Sequence, residues 1–302
     1  MAAAHTTQAG VGDHSVAEKG PAAGQKVLAP QATPSRETAR FIDRDGEQLY
    51  CVTHEPLEPN GSIQGRVLLL GPMPSERHYA YASWVEWARY LAGRGFAVVR
   101  FDYRASGEST GDFRHIDCGT WLDDARMLIP ELPGADTPLT VCGLRFGALL
   151  GARLLEEGQA SRLLAWAPPK GGREHLMEHL RRRLAEDMAL DLPAPRKTRQ
   201  DYIAELDAGQ GVNVDGYTWT RRFWESAATL TPPLQDPNTT QLIHTTHGVR
   251  GTQVSPSKEW EIQIPRPAFW FEGPWFRPDL STLFAASANW ILHRDLKQGG
   301  SA

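Results

Sequence analysis

The stretch Leu139-Thr-Val-Cys-Gly-Leu-Arg-Phe-Gly-Ala-Leu-Leu-Gly-Ala-Arg153 constrains the fold of this chain more than any other. A short apolar strand runs into Gly143-Leu144-Arg145-Phe146-Gly147, and a helix of small and apolar residues follows. Two glycines four apart let backbone and side chains crowd past a strained strand-to-helix turn, which lifts the residue between them to a helix N-terminus. A serine there would be a nucleophile. Arg145 is not, because a guanidinium is always charged and has no lone pair to offer.

The rest of the chain places this turn in a regular alternation. Residues 41–52 read as two strands around Asp45-Gly46, a two-residue hairpin signal. Buried strands are predicted over 66–70, 96–101, 139–142 and 162–166, with helices over 84–93, 120–132 and from the turn to 157. Such a rhythm implies a mostly parallel sheet with helices on both faces. After Pro168 the rhythm changes to a charged helix over 174–190, a break at Pro193-Ala-Pro195, a second helix over 199–208 and an aromatic-rich stretch over 217–234. Strands return over 241–246 and 260–264, and a helix over 279–292 closes the chain with one apolar face. The expected organisation is a disordered tail over 1–39, a core over 40–167 and 239–295, a mostly helical cap over 168–238, and a short tail over 296–302.

Composition excludes several classes of function. The 302 residues carry a formal net charge of −4, and no stripe of Lys and Arg is interleaved with aromatics, which argues against a nucleic-acid footprint. Cys51, Cys118 and Cys142 are sparse, odd in number and without C-x-x-C spacing, as suits a reducing cytoplasm rather than a disulfide framework or zinc site. No apolar run approaches a membrane span. Neither a cofactor nor a metal is expected.

Asp102-Tyr-Arg-Ala-Ser-Gly-Glu-Ser-Thr-Gly111 follows the strand ending at Phe101. With the Gly143–Gly147 spacing, it resembles the α/β-hydrolase superfamily, whose comparable loop often reads D-x-R-G-x-G-x-S. Asp102, Arg104, Gly107 and Ser109 match, and Ala105 departs. Residues 164–176 and 180–188, with Val212-Asn-Val-Asp-Gly-Tyr-Thr218 and Pro267-Ala-Phe-Trp270, are similar to the exosortase-system-associated hydrolases of bacteria, where the turn also tends to read Gly-Leu-Arg. The resemblance implies an α/β-hydrolase fold with a nucleophile elbow at residue 145, and a place in exopolysaccharide or cell-envelope assembly.

In that superfamily the triad acid follows the strand after the cap and the histidine follows the last strand. Here Ile243-His-Thr-Thr-His-Gly248 offers no acid and residues 266–275 offer no histidine, so all three seats read as vacant. Two readings follow. In the first, a pseudo-hydrolase binds an anionic small molecule or a protein partner, with Arg145, the backbone of Phe146, Gly71 and Met73, and the aromatics Trp270 and Trp275 around the ligand. In the second, an active hydrolase or acyltransferase takes an acyl substrate and uses a displaced nucleophile, for which Ser75, Ser106, Ser109 and Cys142 are the nearby candidates. Arg145 has a structural alternative as well, an inward ion pair with Asp102 or Glu76. His175, Glu178 and His179 spell H-x-x-E-H on one helix face, but no third ligand is evident and the spacing reads as chance amphipathicity. His244 and His247 read as structural histidines rather than a metal or proton-transfer site.

Overall fold

The computed structural model describes residues 35–57, 63–189, 197–247, 260–264, 267–271 and 278–298. Eight strands form one sheet: β1 (Ser35–Arg44), β2 (Glu47–Pro56), β3 (Gly65–Leu70), β4 (Phe96–Phe101), β5 (Leu139–Leu144), β6 (Arg162–Trp166), β9 (Thr240–His247) and β10 (Trp260–Ile264). Their spatial order is β1-β2-β4-β3-β5-β6-β9-β10. β2 runs antiparallel to both neighbours, and every pairing from β4 to β10 is parallel. This is the α/β-hydrolase fold.

The near-continuous apolar runs of β3 to β6 are explained by burial on both faces of a parallel sheet. Alternate residues supply two separate cores, as the period of two requires. Leu68, Leu70, Val99, Phe101, Val141 and Leu163 pack on one face with α2 (Cys118–Leu128) and α3 (Phe146–Glu156). Val67, Leu69, Val98, Cys142, Leu164 and Trp166 pack on the other with α1 (Pro74–Ala92) and α7 (Ser281–Gln298). Within the second core, Trp87 lies 4.9 Å from Trp166 and 5.2 Å from Phe284, ring to ring. Trp290 of α7 is buried in it too, with the Arg162 guanidinium 4.0 Å from its ring.

Between β6 and β9 lie α4 (Gly172–Ala189), α5 (Arg199–Asp207), a two-stranded hairpin of β7 (Val212–Val214) and β8 (Tyr217–Trp219), and α6 (Arg221–Ala228). None of these joins the eight-stranded sheet. Leu176, Leu180, Phe223 and Trp224 share the core of α2 and α3, so this insertion seats on that side. The hairpin was not anticipated in a stretch read as mostly helical. Its turn, Asp215-Gly216, has φ 52° and 88°, the same pair of positive values as Asp45-Gly46 (52° and 85°), and both suit a two-residue hairpin. Three boundaries also differ clearly from expectation. α1 starts at Pro74 rather than 84, with proline at its first position. β1 starts at Ser35 rather than 40, because its polar, exposed residues are held by backbone pairing with β2 up to Pro56. α7 runs on to Gln298. Among the described residues, no helix is long and apolar enough to cross a membrane.

Candidate functional site

Arg145 stands in the turn between β5 and α3 with φ 54° and ψ −116°. A non-glycine residue in this region costs of order 1–3 kcal/mol, so the surroundings must enforce it. They do so by close approach: a Cβ at Gly147 would lie 2.2 Å from the carbonyl oxygen of Leu70, and one at Gly143 would lie 2.5 Å from the backbone nitrogen of Ala148. The start of α3 is thereby pressed against the end of β3. Gly71 and Met73, which follow β3, lead into α1, whose first turn carries Glu76.

The guanidinium of Arg145 does not face solvent. Its Nε and Nη2 donate to Glu76 Oε1 at 3.2 and 3.1 Å, and Nη2 donates to both oxygens of Glu178 at 2.9 Å. Of the two acids foreseen as inward partners, Glu76 is the one engaged. Asp102 is instead held by Arg77, at 2.6 and 2.5 Å. Trp270 and Phe271 flank the Arg145 guanidinium, their ring centres 5.6 and 5.3 Å away. Trp275 lies outside the described residues.

His175 and His179 do not sit on a solvated face. Both are buried, and the third residue of their cluster, absent from their own neighbourhood in sequence, is Glu76, contributed by α1. His175 Nε2 lies 3.5 Å from Glu76 Oε2, and the two Nε2 atoms are 3.3 Å apart. Phe146 stacks on His175 at 5.6 Å. Asp215, from the hairpin turn, places Oδ2 3.3 Å from His179 Nδ1. Arg182 lies against the same ring, its Nη2 2.6 Å from Nδ1 and 3.0 Å from Nε2. Sequence reasoning missed Glu76 as a partner of these histidines, and it missed Asp215 altogether. The Asp-Gly turn signal was available for the latter.

The charges settle around Glu76. Burial pushes its carboxyl up, but Arg145, followed by His175 and His179, outweighs that and holds it well below the usual carboxylate range. The partial positive charge at the start of α1 acts in the same direction. Burial works against the Arg145 cation, which Glu76 and Glu178 more than restore. For His175, burial dominates and lowers the imidazole to about 4, so it is neutral at pH 7. Glu178 and Asp215 are raised by burial and pulled down further by Arg145 and His179 respectively.

Three of the displaced-nucleophile candidates are already committed. Ser106 Oγ donates to the Tyr103 carbonyl at 2.9 Å, and Ser109 Oγ donates to the Asp102 carbonyl at 2.6 Å while accepting from Tyr50 N. Burial pushes the Cys142 thiol far up, so it holds no thiolate at neutral pH. Ser75 alone meets a base, with Oγ 3.4 Å from His179 Nδ1. That is the same nitrogen Asp215 faces. A triad needs the nucleophile and the acid on opposite ring nitrogens, so that one donates to the acid while the other accepts the proton. The loop after β10 contains no histidine, and His244 on β9 belongs to no metal-ligating group found among the described residues.

Two clefts meet at Glu178. One, of about 580 Å³, is lined by Ser75, His78, Tyr79, Arg182, Asp215 and Tyr217. The other, of about 600 Å³, is lined by Arg145, Lys170, Arg173, His175, Arg181 and Arg199 with Glu174.

No protein-family model matches the chain, and no curated protein matches it. Solved structures do. Alpha/beta hydrolase domain-containing protein 10 from mouse is 17% identical, with a TM-score of 0.44 over 69% of this chain and 77% of that one. A hypothetical protein from Pseudomonas aeruginosa is 18% identical, with a TM-score of 0.46 over 72% and 79%. A putative hydrolase from Agrobacterium vitis is 16% identical, with a TM-score of 0.46 over 71% and 80%. The fold assignment stands on strand order and direction.

Proposed function

We propose that this protein is a pseudo-hydrolase, an α/β-hydrolase fold in which Arg145 occupies the nucleophile elbow and no Ser-His-Asp triad operates. The observation that carries this reading is the Arg145 guanidinium fastened to Glu76 and Glu178, which fills the space a nucleophile and its substrate carbonyl would need. The fold then serves binding. An anionic small molecule in the cleft beside α4 is the ligand class we favour. Lys170, Arg173, Arg181 and Arg199 line that cleft and make no ion pair with a carboxylate among the described residues, whereas Arg145 is already neutralised. The resemblance of residues 164–176 and 180–188 to exosortase-system-associated hydrolases supports a role in exopolysaccharide or cell-envelope assembly, in the cytoplasm and with a protein partner.

Purified protein is expected to turn over short acyl nitrophenyl esters no faster than heat-denatured protein, and to take no fluorophosphonate label. In a thermal-shift screen, anionic sugars and nucleotides should stabilise it more than their neutral analogues. Arg173→Ala with Arg181→Ala should weaken the best of them by about tenfold or more, as loss of charge-assisted contacts does. A second reading, hydrolysis through Ser75, is favoured by its contact with His179. Ester turnover abolished by Ser75→Ala would establish it and overturn the first.

A further inference from the structure

We propose that Glu76, His175 and His179 bind one divalent transition-metal ion of the zinc kind, with Asp215 orienting His179 from behind. Tetrahedral zinc with bonds of about 2.0–2.1 Å sets its donor atoms about 3.3 Å apart. The two imidazole Nε2 atoms are 3.3 Å apart, and Glu76 Oε2 is 3.5 Å from the first of them. One donor atom from each of the three residues lies within 4.8 Å of the others, and this is the one such group among the described residues. Two stretches of chain about a hundred residues apart, α1 and α4, thus converge at the spacing an ion requires.

Glu76 Oε2 is a second, independent sign. The side chain is wholly buried, Oε1 takes both hydrogen bonds from Arg145, and Oε2 accepts none while aiming at the imidazoles. A buried carboxylate oxygen left without a partner is costly, and a ligated ion removes that cost. The local charges point the same way. Glu76, Glu178 and Asp215 supply three negative charges and Arg145 and Arg182 two positive ones, which leaves one negative in excess. Once Arg182, whose Nη2 now lies 2.6 Å from His179 Nδ1, withdraws, Asp215 is left to accept the proton of that nitrogen, and the Nε2 lone pair is free for a metal, the usual arrangement behind a metal-bound histidine. Two nitrogen donors select against magnesium and calcium, which take oxygen.

Glu178 is no ligand here, since Arg145 binds both of its oxygens. The H-x-x-E-H order therefore implies binding and not peptidase chemistry. Arg182 sits where it competes with an ion, 3.0 Å from His179 Nε2 and 3.9 Å from Glu76 Oε1. It is partly exposed beside the 580 Å³ cleft, so ion entry is coupled to its withdrawal into that cleft.

The test uses the full, tag-free chain, stripped with a chelator and titrated with Co²⁺ and then Zn²⁺. One Co²⁺ per chain is expected, with the visible bands of a four-coordinate site, displaced by Zn²⁺ and accompanied by a rise in Tm. Glu76→Gln should abolish the spectrum. Asp215→Asn should weaken binding by about ten- to a hundredfold, as loss of a partner behind a metal-bound histidine typically does. Arg182→Ala should tighten it by about tenfold or more by removing a competing charge. His244→Ala should leave it unchanged. Failure of the folded wild type to bind stoichiometric Co²⁺ overturns the proposal, and so does binding by Glu76→Gln equal to the wild type. Should Glu76→Gln not fold, the opposite responses of Asp215→Asn and Arg182→Ala decide, and no change in either overturns it.

Discussion

Arg145→Ala removes the guanidinium that satisfies Glu76, and Glu76 has no route to water. Its side chain is 0% exposed, whereas Glu178 is 32% exposed and can turn outward. The cost therefore falls on one carboxylate. Removing one partner of a buried ion pair typically destabilises by about 3–5 kcal/mol, because the remaining charge stays buried and uncompensated. The exposed partner adds at most about 1 kcal/mol. Alanine keeps the same unfavourable backbone conformation, so no strain is released. For a chain of this size each kcal/mol lowers Tm by roughly 2–4 °C, which predicts a fall of about 6–24 °C. Circular-dichroism melts and urea titrations, run with a chelator so that no ion contributes, measure it. The decisive comparison is a double-mutant cycle with Glu76→Gln. In the glutamine background, where the buried charge is gone, Arg145→Ala should cost about 1 kcal/mol or less. A loss below about 1 kcal/mol in the wild-type background, or an equal loss in both, would refute the reasoning.

Three further outcomes are expected. Gly147→Ala should destabilise by about 3 kcal/mol or more, since the added methyl meets the carbonyl oxygens of Leu70 and Gly71 at 2.2 and 2.4 Å and neither can retreat; Gly71→Ala, with open space around its Cβ, is the near-neutral control in the same melts. Arg145→Ser should produce no esterase, because no histidine is offered to it after β10; detectable nitrophenyl ester turnover would count against the pseudo-hydrolase reading. His54 is buried and accepts from Arg100 Nε at 3.1 Å, and burial, then Arg100, lowers it to about 4. Between about pH 6.5 and 4 the unfolded chain therefore binds the proton that the folded one refuses. Stability should fall with pH across that window by about 1–2 kcal/mol after solvent screening is allowed for, and His54→Gln should flatten the urea midpoint there.

How far the chain could be read from its residues follows from the range of the signals. The strand–helix rhythm and the Gly143–Gly147 turn are local, and a sheet buried on both faces writes itself as apolar runs that stand out in sequence. The Asp45-Gly46 hairpin was legible for the same reason. Asp215-Gly216 carried an identical signal but lay in a polar stretch whose helices drew the reading toward an all-helical insertion. The candidate site was legible only in part. Arg145 was visible, and Glu76 stood among its foreseen partners. The burial of His175 and His179 was not visible, because it depends on α4 facing Glu76 of α1 and on α4 packing with the elements around it, and nothing within α4 records what it faces. The charged residues that made α4 look solvated, Glu178 and Arg182, are the ones turned toward the network.

The Glu76–Arg145–Glu178 cluster has a consequence for the mutational neighbourhood of this sequence. A serine at residue 145 on its own leaves a sealed carboxylate whose remaining cation, Arg182, stands 3.9 Å off without a hydrogen bond, and a neutral residue at 76 on its own leaves the guanidinium with only a part-exposed acid. Each single step toward a nucleophilic elbow thus passes through a less stable protein, and the two changes are tolerable only together. The seats for the histidine and acid would have to be refilled as well. Arginine at this turn is therefore entrenched: random drift finds it easier to reshape the clefts on either side than to reopen the seat between them.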